Sequence, residues 1–362
     1  TRRVPWHIAP NAARSYARHM TIEVDSLRKS FGGQDVLRDV SFHASSGEFF
    51  VVLGPSGCGK STLLRLIAGL DRSDGGRISL SGREVSGPGF HLAPEDRRVG
   101  VVFQSYALWP HMTVRDNVAF PIEETGGTRA RIDDTVSRHL GTVSLEDMAD
   151  RRPAELSGGQ RQRVALARCL AGGTRTILMD EPLANLDPHL RGRMEEELIR
   201  VHTEAGATTL YITHDQREAM SLASRVAVMR AGTFEQIAPP EEVHDRPATE
   251  AVARFIGRAA VVDAIAANGA LQLGPLRADA ARQVQEGAAL RAVVRPRDVR
   301  LGGGPVDDRG EGRVASAQYR GGAWEGRLAI DGVDEPLPVV HPTRLSVGER
   351  IPFSLGPLWL LP

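Results

Sequence analysis

The residues best placed to do chemistry lie in the stretch 49–69, FFVVLGPSGCGKSTLLRLIAG. Gly54, Pro55, Ser56, Gly57, Cys58, Gly59, Lys60, Ser61 and Thr62 follow a short apolar run and lead into a leucine-rich segment. The pattern GxxxxGK[ST] between a strand and a helix is a phosphate cradle. Its glycines let successive backbone N–H groups converge on one anion, and the helix N-terminus adds partial positive charge. In such a cradle Lys60 reaches the β- and γ-phosphates and Ser61 ligates Mg²⁺. Cys58 reads as a small loop residue.

A second group is TILMDEP, residues 176–182. An apolar strand delivers Asp180 and Glu181 to its C-terminal end, where α/β sheets bind ligands. Asp180 is suited to hold Mg²⁺ through its water shell, and Glu181 to orient or deprotonate an attacking water. A third group is ELSGGQRQRVALAR, residues 155–168. A Ser-Gly-Gly turn before a helix is another anion cradle, with free N–H groups at its start. One nucleotide does not need two cradles from one chain. Two chains facing head to tail would use both, each lending Ser157, Gly158, Gly159 and Gln160 to the other's nucleotide.

Together these motifs resemble the ATP-binding cassette (ABC) ATPases, whose signature is LSGGQ, here at 156–160. The resemblance extends over nearly the whole chain and implies ATP and Mg²⁺ as cofactors. It implies that Phe31, in KSFGG, stacks on adenine. Gln104, in VVFQSYALWPHMTV, becomes the glutamine near Mg²⁺ and the water. Asp187, in ANLD, belongs to the segment that crosses the dimer, and its place before Pro188 also suits a helix start. His214, in YITHDQREAM, becomes the histidine that contacts the γ-phosphate. Taken singly, Gln104 and His214 are polar caps at strand ends. The catalytic set is then Glu181, His214, Gln104 and Lys60, and the metal set Ser61, Gln104 and Asp180.

The elements that must position these groups follow from the pattern. Residues 20–245 read as an α/β phosphate-loop core with a helical subdomain at about 105–170, because short apolar runs alternate with helical segments. A linker helix at 246–257 stops at Gly257. Residues 258–362 read as a smaller all-β, oligonucleotide-fold-like barrel, with strands expected at 260–265, 289–295, 312–319 and 324–330. VRPRDVRL, around Arg295, resembles the accessory barrel of importer ATPases. Residues 1–19, TRRVPWHIAPNAARSYARH, show no helical or strand period and are arginine-rich. They read as extra sequence ahead of a native start at Met20. A presequence or a basic arm are the other readings.

Composition excludes several classes. At 362 residues the chain is long enough for about two domains. Lys plus Arg is 45 and Asp plus Glu is 45, so the chain carries no bulk positive charge for nucleic acid. Two cysteines make no disulfide framework and suit a reducing compartment. No apolar run of about 18 residues is present, so the chain does not span a membrane by itself.

Tyr106, Leu108, Trp109, Pro110, His111 and Met112 mix apolar bulk with few charges. They resemble the face of importer ATPases that receives a coupling helix from a permease. For Trp109, packing within its own subdomain is the equal alternative. The resemblance implies a homodimer on the cytoplasmic face of a bacterial membrane. Its partners are two permease subunits and, indirectly, a substrate-binding protein. VSGPGFHLAPEDRRVG, ALWPHMTV and NVAFPI resemble the ferric-iron importers, and ferric iron is the first expectation for the cargo. Polyamine, sulfate or molybdate, phosphonate and sugar are the alternatives. A soluble, non-transport cassette protein is the competing class, and such proteins carry two cassettes or a coiled-coil insertion that this sequence lacks.

Overall fold

The computed structural model describes residues 20–184, 186–302 and 310–362. The N-terminal extension 1–19 lies outside the described residues, as does Asn185 of ANLD. The chain divides into two compact units, one ending at Ile237 and one spanning Ala238–Pro362.

The first unit opens with a long hairpin, Met20–Phe31 (β1) and Gln34–Ser45 (β2). Its turn is Gly32-Gly33, and both glycines sit at positive φ, which a side chain would resist. Phe49–Leu53 (β3) starts a second sheet and feeds Lys60–Ala68 (α1). Gly75–Leu80 (β4), Arg83–Gly87 (β5) and Phe90–His91 (β6) return to the first sheet, in the order β2-β1-β4-β5-β6. Val99–Val102 (β7), Thr176–Asp180 (β8), Thr208–Thr213 (β9), Arg225–Arg230 (β10) and Thr233–Ala238 (β11) complete the second sheet, in the order β11-β10-β3-β9-β8-β7. From β10 to β7 its neighbours run parallel. A parallel strand covered on both faces needs a continuous apolar run. Accordingly every residue of β3 and β9 is buried. Leu63, Leu64, Leu66 and Ile67 form the buried face of α1 and join Phe42, Phe50 and Ile212 in one core.

Three α-helices lie between β7 and β8: Val114–Glu124 (α2), Arg129–Thr142 (α3) and Gly158–Ala171 (α4). Thr113 and Asp116 form a capping box on α2. The fully buried Asn117 holds both the N–H and the carbonyl of Trp109. The Trp109 ring packs 4.3 Å from Phe120 and 4.7 Å from the Arg168 guanidinium, which donates to the Ala107 and Tyr106 carbonyls. Trp109 therefore does pack within its own subdomain, while neighbouring Pro110 and His111 are exposed. Pro188–Ala205 (α5) follows β8, and Gln216–Leu222 (α6) follows β9.

The second unit begins with two short helices, Pro240–Asp245 (α7) and Glu250–Phe255 (α8). Ten strands follow. Ala260–Ala267 (β12), Ala270–Leu273 (β13), Leu276–Ala278 (β14), Ala289–Val294 (β15) and Val299–Leu301 (β16) come first. Gly310–Tyr319 (β17), Trp324–Ala329 (β18), Leu337–His341 (β19), Arg350–Leu355 (β20) and Trp359–Leu360 (β21) complete them. They form two five-stranded sheets, β14-β13-β12-β15-β21 and β16-β20-β17-β18-β19. Inward residues of both, among them Leu271, Val294, Leu328, Phe353 and Leu360, fill one core, giving a nearly closed barrel. Arg295 is 3% exposed; its guanidinium donates to the carbonyls of Ile256 and His244, and burial pushes its pKa down to about 10. In this unit Arg295 is a tie between the barrel and the ends of α7 and α8.

Candidate functional site

The phosphate loop lies between the end of β3 and the start of α1. Gly57 and Gly59 have φ of 79° and 110°, conformations that L side chains rarely adopt. A Cβ on Gly59 would lie 2.9 Å from the Val36 carbonyl, and one on Gly54 would lie 2.2 Å from the Met229 carbonyl. The loop is thus clamped between β2 and β10 and cannot carry bulk at either point. Cys58 turns away from solvent into the core, and burial raises its thiol pKa against the lowering charge of Lys60. Lys60 is 5% exposed, and its Nζ donates to the carbonyls of Gly54 at 2.9 Å and Pro55 at 3.1 Å. Those two bonds fold the loop into a ring around the ammonium.

A cavity of about 330 Å³ opens over this ring. Ser56, Gly57, Gly59, Lys60, Ser61 and Thr62 line one side, and Gln104, Asp180 and Glu181 line the other. The parallel order β3-β9-β8-β7 explains the meeting. It sets the end of β7, with Gln104 just beyond it, and the end of β8, with Asp180 as its last residue and Glu181 next, at the same sheet edge as the phosphate loop. Ser61 Oγ donates to Asp180 Oδ1 at 3.0 Å. Burial raises the Asp180 pKa, the Ser61 bond opposes this, and the neighbouring Glu181 charge adds to it. Glu181 has φ +45°, unusual for a residue with a side chain. Its N–H donates to the Ile212 carbonyl of β9 at 3.0 Å, and its Oε2 lies 3.0 Å from His214 Nδ1. The backbone twist at Glu181 thus pairs it with β9 and sets its carboxylate beside His214.

The donor set fits magnesium and a nucleoside triphosphate. Ser61 hydroxyl, Asp180 carboxylate and Gln104 amide are hard oxygen ligands of the kind Mg²⁺ takes. A buried ammonium beside glycines with no room for a Cβ is a cradle for phosphate oxygens.

The signature turn is elsewhere. Ser157 caps α4, accepting the Gln160 N–H at 3.3 Å, while Gln160 Oε1 accepts the Ser157 N–H at 2.8 Å. Ser157, Gly159 and Gln160 line a separate cavity of about 180 Å³ with Arg163, Arg193, Met194 and Glu197. A Cβ on Gly158 would lie 2.9 Å from Leu186. Among the described residues the two cavities share none of their lining. Phe31 ends β1, 49% exposed, with Lys29 Nζ 4.9 Å from its ring centre, and is not among the residues lining the larger cavity. Asp187 immediately precedes α5, and its carbonyl accepts the Arg191 N–H. The sequence reading missed Val36, which lines the larger cavity from β2. No local motif marks it, because its place depends on the hairpin lying against the loop.

The sequence profile of the ABC transporter family matches residues 37–184. The chain is 43% identical over 312 residues to a spermidine/putrescine import ATP-binding protein of Pseudomonas aeruginosa, covering 83% of this chain and 85% of that one. It is 41% identical over 340 residues to an sn-glycerol-3-phosphate import ATP-binding protein of Cereibacter sphaeroides, covering 93% of this chain and 95% of that one. Among solved structures it is similar to cbiO1 of Clostridium perfringens, part of the ABC transporter complex cbiONQ. The TM-score is 0.58 at 27% identity, over 62% of this chain and 90% of that one. With an intact phosphate loop, acid pair and signature turn on this fold, the chain belongs to the ABC transporter family, as the ATP-hydrolysing subunit of a binding-protein-dependent importer.

Proposed function

We propose that two copies of this chain close head to tail on the cytoplasmic face of a bacterial membrane and drive import through separate permease subunits. The observation that carries the dimer is the separation of the two anion cradles. The phosphate loop and the Ser157 turn line different cavities of one chain, so a second chain is needed for both to grip one nucleotide. Lys60 holds the phosphates of bound ATP, and Phe31 covers its adenine. Ser61, Asp180 and Gln104 hold Mg²⁺, which neutralises charge on the phosphates when bound. Glu181 orients or deprotonates the attacking water, and His214 stands against Glu181 and the terminal phosphate. Ser157, Gly158 and Gly159 face the nucleotide of the opposite chain, with Asp187 at the seam.

The deciding sample is a mixture of two inactive variants, Ser157→Arg and Lys60→Ala. A head-to-tail heterodimer combines both defects in one site and leaves the other intact. Partial recovery of ATPase activity on mixing is expected. An ATP-trapped structure with residues 157–159 against their own chain's nucleotide would refute the arrangement.

For the cargo, we propose a polyamine or a similar organic cation. The ferric-iron expectation gives way to this alternative, because the similarity to the spermidine/putrescine import protein supports it better. The similarity to the cbiONQ component supports association with permease subunits. Uptake of labelled spermidine, putrescine and ferric iron, in cells with and without this chain, tests the cargo. Loss of iron uptake alone would return the first reading.

A further inference from the structure

If Glu181 and His214 serve ATP hydrolysis as proposed above, then whatever holds His214 in place bears on the reaction. His214 is about half exposed at the end of β9, yet both its chain neighbours are tied down. Thr213 Oγ1 accepts the Asp215 N–H at 2.9 Å and donates to Glu218 Oε2 at 2.6 Å. The same carboxylate oxygen accepts the Tyr211 hydroxyl at 2.9 Å. Tyr211, Thr213 and Glu218 are buried, so this side of the turn is a closed polar network in a low-dielectric interior.

The other side is built differently. Asp215 Oδ1 accepts the N–H groups of Arg217 and Glu218 and so starts α6. Its second oxygen, Oδ2, meets Arg191 Nη1 at 3.2 Å. Both side chains of that pair are about a quarter exposed. Arg191 stands in the first turn of α5, and its own N–H donates to the Asp187 carbonyl at 3.2 Å. A hydrogen-bonded path therefore runs from the backbone of Asp187, through Arg191, to Asp215 and the turn that carries His214. The Glu218 side is sealed. The Arg191 side ties the turn to a different helix through one partly exposed ion pair.

We infer that Arg191 is a positioning residue for hydrolysis: it fastens the His214 turn to the first turn of α5, so that seating Asp187 against the second protomer sets whether His214 stands beside Glu181. A surface ion pair with no such role contributes little and couples to nothing. The two cases are separable by a double-mutant cycle.

The experiment uses the full chain and compares wild type, Arg191→Met, Arg191→Lys, His214→Ala and the Arg191→Met/His214→Ala double variant. Single-turnover ATPase rate, ATP affinity by calorimetry and melting temperature are measured for each. Arg191→Met is expected to slow turnover roughly tenfold, the scale of one charge-assisted hydrogen bond, with ATP affinity and melting temperature unchanged. Arg191→Lys recovers part of the rate, because it keeps a cation near Asp215. In the His214→Ala background, Arg191→Met adds no further loss. An unchanged rate in Arg191→Met, or an additive loss in the double variant, overturns the inference. A loss of rate that follows a lowered melting temperature and is not recovered by Arg191→Lys does so too. Wild-type turnover in His214→Ala would instead remove the assignment of His214 itself.

Discussion

Ser61 Oγ donates to Asp180 Oδ1 at 3.0 Å, joining the first turn of α1 to the end of β8. This bond holds together two groups proposed to share a metal. Ser61→Ala leaves the phosphate loop backbone in place and removes one of them. The Mg²⁺ concentration for half-maximal ATPase activity is expected to rise, with metal-free nucleotide binding little changed. A magnesium titration of ATPase rate checks this, and an unshifted curve would remove Ser61 from the metal set.

Lys60 is buried and bonded to the Gly54 and Pro55 carbonyls. Lys60→Ala removes both these ties and the ammonium that faces the phosphates. ATP affinity is expected to fall roughly ten- to a hundredfold, the worth of about 1.5–3 kcal/mol for charged hydrogen bonds. Calorimetry measures it, and wild-type affinity would contradict the cradle.

Glu181→Gln keeps the side-chain shape and an oxygen within reach of His214, but loses the base. Turnover is expected to drop by about a hundredfold or more. ATP binding persists, and the ATP-bound dimer accumulates because the closed state is no longer discharged. Size-exclusion chromatography with ATP reads the dimer. A fast-hydrolysing, persistently monomeric variant is the contrary result.

Glu218 supplies a prediction about pH. Burial raises its carboxyl above the ordinary 4.5, against lowering hydrogen bonds from Thr213 and Tyr211. A raised value means that the folded state holds the proton more tightly than the unfolded chain. Its stabilising contribution is full below about pH 4.5 and is lost as pH rises through the raised value. Glu218→Gln has no proton to lose there. Its stability relative to wild type, from urea midpoints, is expected to be flat below that pH and to climb toward neutrality. A relative stability that falls with rising pH would mean that the carboxylate is favoured inside.

Much of this protein was legible in the residues alone, for reasons of locality. The phosphate loop is contiguous, and its glycines, lysine and flanking apolar runs encode a strand, a turn and a helix start within two dozen positions. The same holds for TILMDEP, whose apolar run must be a covered strand and whose acids must fall at its end. Strands β12, β15, β17 and β18 were legible because each is a short run rich in small or β-branched residues between turn signals. The shorter β13, β14, β16, β19 and β21 were not, since too few positions alternate to show a period, and β20, as long as β15 and β18, has its apolar run broken by Pro352 and Ser354.

What only the tertiary structure decided is which of these local pieces meet. Asp180 reaches Ser61, and Glu181 reaches His214, because β8 pairs with β9 and β9 with β3, an order that no local pattern encodes. Val36 enters the cavity because the first hairpin lies against the loop, and Arg191 meets Asp215 because α5 packs beside α6. Short-range sterics and hydrogen bonds act between residues a few positions apart, so they leave their mark in the sequence. Strand order and helix packing arise from burying whole faces together, and the residues they bring into contact carry no mutual mark.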